Sequence, residues 1–328
     1  MSKGIIHPIR CSLPIPGATV NVYFVKEPVP TLIDAPAEGT TYLEELDAGL
    51  RTLGHSIHDI RRIIVTHPHF DHYGSARTIN EMNRAEIWAS KRGAHWIENY
   101  EEELHNEERC RALLLEKAGA AAVEIDYVNA YYREANCFAH GARISKYLEE
   151  GDTFELASLS FAVTEVPGHT PFCILLHACD NSLGFTGDFL LQDITSKPLV
   201  QWTDLRSPGY KTLKSYTESL KKVRGMSLKI ALPGHGKIIR DPTKKIDELL
   251  KFIDERRATV RRALQKDGRT PIQIVREVYP NHPREGLFRA VSDVMGHLEM
   301  LEEDGLVERT DDHPVRFRPI IRVRGTGD

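Results

Sequence analysis

Short runs of β-branched and aromatic residues recur along the first two thirds of the chain, and several of them end at polar loops. The run at 62–66, RIIVT, is followed at once by HPHFDHYG. Such a run is typical of a buried strand, whereas the segment after it is too polar to lie in a core. Three further runs, at 160–166, 182–185 and 229–232, lead into PGHT, TGD and PGHG. The pattern predicts strands that end at loops carrying histidine or aspartate.

Helical periodicity separates these strands. Leucines at 43, 46, 50 and 53 recur at helical spacing, and Gly54 is a typical residue at a helix end. Further helices are predicted at 75–82, 97–119 and 209–223, and the region from 119 to about 145 is also predicted to be helical. Further strands are predicted at 20–25, 31–34, 86–89, 154–156 and 173–178.

The character of the chain changes at Pro242. From there to Gly305 the pattern is almost entirely helical, and 305–320 predicts a β-hairpin with a turn at DDHP. Three helices closed by a hairpin are the outline of a winged helix. From Lys244 onward the chain has 17 basic and 16 acidic residues, so it lacks the clear basic face of a duplex-DNA binder.

Composition limits the cellular setting. The five cysteines, at 11, 110, 137, 173 and 179, form no CxxC pair and favour a reducing compartment. Prolines interrupt the N-terminal segment, and no apolar run reaches the length of a membrane span. The net charge of −4 offers no basic field for nucleic acid or membrane. We therefore expect a cytoplasmic protein without membrane association.

Three histidines and one aspartate lie within the six residues from His67 to His72. Neutral imidazole is a good zinc ligand, and carboxylate oxygen suits divalent metals. His67 and His69 are two positions apart in an extended segment, so they project to the same side. Asp71 and His72 follow the turn and can face a second point. One short loop can therefore offer ligands to two cations.

Four side chains do not complete the coordination of two cations, so further ligands must come from elsewhere. His169, Asp188 and His235 each follow a predicted strand, and each has a neighbouring glycine that permits a tight turn. Alone, each motif is weak, but all of them together in one chain predict a metal site at a sheet edge.

The combination of THPHFDHYG, PGHT, FTGD and LPGHG resembles the metallo-β-lactamase-fold hydrolase superfamily over roughly residues 5–240. The resemblance implies the α/β (α+β) class and a four-layer αβ/βα sandwich with metals at one edge. It also implies the ligands of two divalent metal ions, with one residue bridging both. The first ion would be held by His67, His69 and His169, the second by Asp71, His72 and His235, and the bridge would be Asp188. Aspartate at the bridging position is similar to glyoxalase II and lactonases, whereas many zinc β-lactamases have cysteine there.

The C-terminal part resembles the winged-helix appendage of the LACTB2-like branch, which includes an endoribonuclease acting on single-stranded RNA. This implies a catalytic domain at 1–240 and a winged-helix-like, mostly helical domain at 241–328. The helical stretch at about 97–145 is longer than in compact members of that branch. We expect this insertion to form a lid or a dimer surface, so a homodimer is one expectation.

These observations predict a dinuclear metal hydrolase. Zn²⁺ is the expected ion, and iron or manganese fits the same ligands. A hydroxide bridging the metals would attack a small ester, thioester or lactone. Asp71 would be catalytic, orienting the water and passing its proton to the leaving group. Trp202, Arg206 and Tyr210 lie in a connection expected to pass near the metals and are candidates for contact with the small-molecule substrate.

Two other functions remain open at this point. The same metals could serve a phosphodiesterase or endoribonuclease acting on single-stranded RNA. Phosphate contacts need basic residues, however, and the appendage has no clear excess of basic over acidic residues. A non-enzymatic winged-helix regulator with a structural metal domain is the other alternative, and the complete ligand set argues against it.

Overall fold

The computed structural model of the protein describes residues 6–193, 195–196, 198–200, 211–310 and 312–320. The strands are β1 Ile6–Ser12, β2 Thr19–Val25, β3 Thr31–Ile33, β4 Arg62–Val65, β5 Glu86–Ser90, β6 Lys146–Leu148, β7 Thr153–Leu156, β8 Leu159–Glu165, β9 Ile174–Ala178, β10 Gly184–Gly187, β11 Ala231–Pro233, β12 Val307–Arg309 and β13 Phe317–Pro319. The α-helices are α1 Thr40–Thr52, α2 Phe70–Tyr73, α3 Ala76–Asn83, α4 Lys91–Glu98, α5 Tyr100–Ala118, α6 Ala122–Ala135, α7 Thr212–Met226, α8 Pro242–Arg262, α9 Pro271–Val278 and α10 Leu287–Glu303.

Two mixed sheets form the centre of the molecule. The first has six strands in the order β1-β2-β3-β4-β5-β6, and the second has five in the order β11-β10-β9-β8-β7. Strands β3 to β6 are parallel to their neighbours in that series, and β10 is parallel to β11. The other pairs within these two sheets are antiparallel.

The sheets pack face to face and carry helices on their outer faces. Between them lies one apolar core, to which Ile64 and Trp88 of the first sheet and Phe161 and Phe185 of the second contribute. The strand residues of the first sheet that point away from the second sheet pack against α1 and α3 and form a second core. On the outer face of the second sheet, α7 and α8 complete a third core. The expected four-layer α/β sandwich is confirmed.

Strand β4 shows how the sequence produces this layering. Ile64 points into the core between the sheets, while Ile63 and Val65 join the core under the helices. All three side chains are buried. A strand covered on both faces needs a continuous apolar run, which is what 62–66 provides.

Several local predictions were wrong or incomplete, and β6 lies where no strand was predicted. No strand was predicted before residue 20, yet β1 forms and, among the described residues, pairs with β2 alone. An edge position tolerates Pro8, because a proline there removes no required ladder hydrogen bond. The helix expected over 97–119 is two helices, α4 and α5, that break at Asn99, where the backbone leaves the helical region (φ −118°, ψ 41°).

The predicted insertion packs against the C-terminal part of the chain. Leu114 and Leu115 of α5 and Val128 of α6 share one buried apolar cluster with Ile274 of α9 and Val291 of α10. Part of the apolar surface of this insertion is therefore covered within the same chain, whereas Leu113, Val123 and Tyr127 are exposed. Whether it also acts as a lid or a dimer surface stays a prediction.

The C-terminal part has the expected order of elements. Helices α8, α9 and α10 are followed by the antiparallel pair β12 and β13. Leu249 of α8 joins the outer core of the second sheet, whereas Val260 of the same helix joins the C-terminal cluster. The winged-helix topology and the domain boundary at 240 stay predictions. Among the described residues, no helix combines the length and apolar composition needed to cross a membrane.

Candidate metal centre

The polar loops that follow four strands meet at one edge of the sandwich. These strands are β4, β8, β10 and β11. The loops bring together all seven side chains that the sequence singled out: His67, His69, Asp71, His72, His169, Asp188 and His235. Their convergence is a structural observation, and their role as metal ligands stays a prediction.

Three imidazole nitrogens face one another in the first group of donors. His69 Nδ1 lies 3.1 Å from His67 Nε2 and 3.0 Å from His169 Nε2. His67 and His69 come from the loop after β4, whereas His169 comes from the loop after β8. This is the group that was expected to hold the first metal ion, and its geometry can hold one.

The second group combines a carboxylate with two imidazoles. His235 Nε2 lies 3.2 Å from Asp71 Oδ2 and 3.3 Å from His72 Nε2. Asp71 and His72 belong to the short helix α2, and His235 follows β11. This group matches the residues expected around the second metal ion.

Asp188 lies between the two groups. Its Oδ1 is 3.4 Å from His72 Nε2, and its Oδ2 is 3.7 Å from His169 Nε2 and 3.4 Å from His235 Nε2. Oδ1 is buried without a hydrogen bond within the described part of the chain. A buried carboxylate oxygen needs a compensating partner. Because this oxygen faces imidazole nitrogens, which also bind metals, a divalent cation is a suitable partner. The donor set therefore suits the predicted pair of ions.

A buried aspartate that the sequence reasoning missed orients the loop after β4. Asp34 Oδ2 accepts hydrogen bonds from His72 Nδ1 at 2.8 Å and from Thr66 Oγ1 at 2.9 Å, and Oδ1 accepts from the Thr66 amide at 2.8 Å. Thr66 Oγ1 lies in turn 3.2 Å from His67 Nδ1. Both histidines thus use Nδ1 for support, which leaves Nε2 directed at the cluster.

Asp34 was predicted only as the last residue of a strand. It directly follows the apolar run of β3 and has a left-handed backbone (φ 62°), which aspartate tolerates better than most residues. An aspartate directly after an apolar strand was the available signal, and it is the same signal that identified the other loops.

His235 is oriented by the backbone of the first sheet. Its Nδ1 donates to the Thr19 carbonyl at 2.6 Å, so Nε2 faces the cluster. The Asn21 side chain donates to the carbonyls of Pro233 and Gly236, at 3.0 Å each. These bonds hold the loop after β11 in the second sheet against β2 of the first.

Two glycines permit the close approach of these loops. A Cβ on Gly234 would lie 2.4 Å from His72 Cε1 and 2.7 Å from Asp188 Oδ1. A Cβ on Gly187 would lie 2.4 Å from Thr66 Oγ1, and its φ of 46° also favours glycine. The glycines beside the donors are therefore needed for space at the site.

Burial and mutual proximity set the charges in the cluster. Burial, assisted by neighbouring histidines, lowers the pKa of His69 to about 3 and holds the pKa of His67 well below its usual range. Burial opposes ionisation of Asp71, but the facing histidines lower its pKa to about 2. The pKa of Asp188 is also well below its ordinary value because of the histidines around it. His67 and His69 are thus neutral imidazoles and both aspartates are ionised, which are the forms that bind metals. His72 and His235 differ: although burial opposes their protonation, the facing carboxylates raise the pKa of His72 to about 9 and that of His235 to about 12, so a bound cation would displace a proton from each.

The remaining sequence candidates are the three residues proposed to contact the substrate. Trp202, Arg206 and Tyr210 lie outside the described residues. Tyr73, which directly follows His72, is fully buried and packs edge-on against Tyr100 with ring centroids 5.7 Å apart.

The comparisons with known proteins agree with this geometry. The sequence profile of the metallo-beta-lactamase superfamily matches residues 15–235. The probable metallo-hydrolase YqjP of Bacillus subtilis (strain 168) is 25% identical over 315 residues, which cover 96% of this chain and 98% of that protein. The hydroxyacylglutathione hydrolase GloC of Haemophilus influenzae is 24% identical over 174 residues, which cover 53% of this chain and 63% of that protein.

The fold has a solved counterpart of the same extent. A metallo-beta-lactamase family protein from Thermus thermophilus superposes with a TM-score of 0.79 at 21% identity, covering 96% of this chain and 98% of that one. The profile match covers well over half of the chain. The chain therefore belongs to the metallo-beta-lactamase superfamily.

Proposed function

We propose that this metal-dependent hydrolase holds two divalent metal ions and hydrolyses a thioester or a related small ester or lactone. The observation that carries the proposal is the position of Asp188. Its two carboxylate oxygens reach histidines of both donor groups at 3.4 to 3.7 Å. A carboxylate shared in this way suits a pair of adjacent cations better than a single one.

The donor chemistry supports zinc as the first choice of metal. Imidazole and carboxylate are common Zn²⁺ ligands, and iron or manganese accepts the same set. When bound, two such ions would make water more acidic and polarise a scissile carbonyl. The first ion would be held by His67, His69 and His169, the second by Asp71, His72 and His235, with Asp188 between them.

Asp71 is the candidate proton carrier. Its carboxylate is ionised and its side chain is 13% exposed, so a water molecule can reach it. His235 Nε2 lies 3.2 Å from its Oδ2, within the same donor group. A carboxylate in this position can accept a proton from the attacking water and return it to the departing thiolate or alkoxide.

A thioester is the preferred substrate class for two reasons. The Haemophilus relative is named for hydrolysis of hydroxyacylglutathione, which is a thioester of a hydroxy acid. A thiolate is also a good leaving group, so its departure needs little assistance from a general acid. An aryl ester or lactone also has a carbonyl group that bound metal ions would polarise in the same way.

A substrate panel on protein of known metal content tests the proposal. It compares thioesters, lactones, aryl esters, phosphotriesters and single-stranded RNA, each with a chelated control. We expect two metal ions per chain by mass spectrometry, and thioester hydrolysis that chelation abolishes and added metal restores.

Variants connect this activity to the cluster. Asp188→Ala and His169→Ala should lower both metal content and turnover. His58→Ala is the matched control, because His58 is exposed and lies outside the cluster. Cleavage of RNA alone would replace the thioester proposal with the nuclease alternative. One metal ion per chain at full activity would refute the dinuclear arrangement, and full activity in metal-free protein would refute the whole mechanism.

A further inference from the structure

A cavity separate from the metal centre lies between the outer helices of the second sheet and the C-terminal helices. Its volume is about 390 Å³, which is within the range of small-molecule sites. Helices α7, α8 and α10 supply most of its wall, and described residues between 193 and 198 complete it. None of its lining residues belongs to the metal cluster.

Most of one side of the cavity is apolar. Leu213 of α7 and Leu249 and Ile253 of α8 are buried there, and Phe252 of α8 lies at the rim with 38% of its surface exposed. A partly exposed aromatic ring beside a buried aliphatic wall can receive a hydrocarbon segment and gain from its burial.

A cationic group lies in the same cavity. The Arg256 guanidinium stacks over the ring of Tyr279 at 4.5 Å and lies 5.4 Å from the ring of Phe252. No ion pair or hydrogen bond engages this guanidinium within the described part of the chain. Its chain neighbour Arg257 differs, since it pairs with Asp304 at 2.8 Å. Arg256 is therefore held in place by stacking while its donors stay available.

His297 adds a buried polar atom to the cavity. Its side chain is 1% exposed, and Nδ1 has no hydrogen-bond partner in the described structure. Nε2 lies 3.8 Å from Asp293 Oδ1, which is beyond hydrogen-bond distance. A buried imidazole nitrogen without a hydrogen-bond partner lowers the stability of the folded state, so we expect a bound molecule to supply the partner.

The acidic residues of the cavity do not satisfy Arg256. Asp293 accepts a hydrogen bond from the Tyr279 hydroxyl, and Asp193 lies at the exposed rim, where solvent screens its charge. The combination of an unpaired guanidinium, an unsatisfied imidazole and an apolar wall suits one kind of molecule.

We propose that this cavity binds a small amphipathic carboxylate. The carboxylate would accept hydrogen bonds from Arg256 and His297, and its hydrocarbon part would lie against Leu249, Phe252 and Ile253. This site is independent of the proposed reaction, because its contacts exclude the metal donors.

The cavity nevertheless adjoins the metal loops. Tyr216, which lines it, donates from its hydroxyl to the Phe189 carbonyl at 2.9 Å, next to Asp188. The ring and Cα of Tyr216 also pack against Gly168, beside His169. An occupant would therefore contact a side chain that supports two of the metal-bearing loops.

Calorimetric titration of the full-length, metal-loaded protein with octanoate tests the site. We expect one molecule bound per chain, with octanol binding at least 10-fold more weakly because it lacks the charge that a guanidinium recognises. Arg256→Met should weaken octanoate binding at least 10-fold. Arg261→Met is the matched control, because Arg261 is exposed on the same helix and does not line the cavity.

His297→Phe tests the contribution of the buried imidazole nitrogen to binding, apart from that of Arg256. It should weaken octanoate binding about fivefold without lowering the melting temperature of the free protein, since it removes an unsatisfied polar atom. Absence of saturable binding, equal affinities for octanoate and octanol, or unchanged octanoate binding by Arg256→Met would each refute the proposal. The last result would place octanoate elsewhere, as on the metals, and would leave the hydrolase proposal intact because the readout is binding.

Discussion

Substitution of Asp34 by asparagine should damage the metal site without touching any proposed ligand. Asp34 is 2% exposed, and its two oxygens together accept three hydrogen bonds. An asparagine can place its oxygen toward His72 and the Thr66 hydroxyl, but then its NH₂ group faces the Thr66 amide. In the opposite orientation the NH₂ group faces the other two donors. Either way at least one buried donor loses its acceptor, which costs about 1–3 kcal/mol.

The expected result is a loss of metal affinity in a protein that stays folded. Groups that orient metal-bound histidines contribute roughly 10- to 100-fold in metal affinity or activity. Chelator-competition titration of Asp34→Asn should therefore give a dissociation constant raised by that factor, with kcat reduced in parallel. Asp126→Asn is the control, because Asp126 is exposed on α6. Wild-type metal affinity and turnover in Asp34→Asn would refute the view that this carboxylate orients the loop.

Three other substitutions, one of them with a matched control, test the packing. Gly234→Ala should lower bound metal measured by mass spectrometry, because its Cβ would lie 2.4 Å from a carbon of His72. Gly225→Ala should instead stabilise the protein by up to about 1 kcal/mol in urea unfolding, since this helical glycine has open space around it; a destabilisation would contradict the assigned helix. Leu115→Ala should cost roughly 2–5 kcal/mol in the same assay, because Leu115 is fully buried between the insertion and the C-terminal helices. Leu113→Ala, at a residue 40% exposed, should cost much less, and equal effects would show that α5 does not pack as described.

Elements with a strong local pattern were predicted well from the sequence. The run at 62–66 became β4, and the leucine spacing over 41–53 became α1, with ends shifted by a residue. The leucine period determines which face of α1 is buried, and the continuous apolar run of β4 matches a strand that is covered on both faces. Strand β1 was missed because Pro8 weakens the local signal, and its stability comes from pairing with β2 instead.

The candidate site was predicted from its donors but not from its supports. The spacing from His67 to His72 is local, so the chemistry of that loop is visible in the sequence. Asp34 lies 32 residues before Thr66 and 38 before His72, and nothing in the sequence spacing indicates that they meet. The same holds for the insertion: its helical pattern does not identify the C-terminal helices as its packing partner.

By itself, the sequence determined the layered α/β class, the order in which polar loops follow the strands, and which seven side chains are the candidate metal ligands. Only the tertiary structure decided which donors share a point in space, and that His69 presents Nδ1 while His67 presents Nε2. It also decided that Asp188 lies between the two groups and that a separate cavity forms beside α10. The physical reason is that residue type and period act within a few residues of the chain. Distances between loops from two sheets depend on strand register and on how closely the sheets and helices pack.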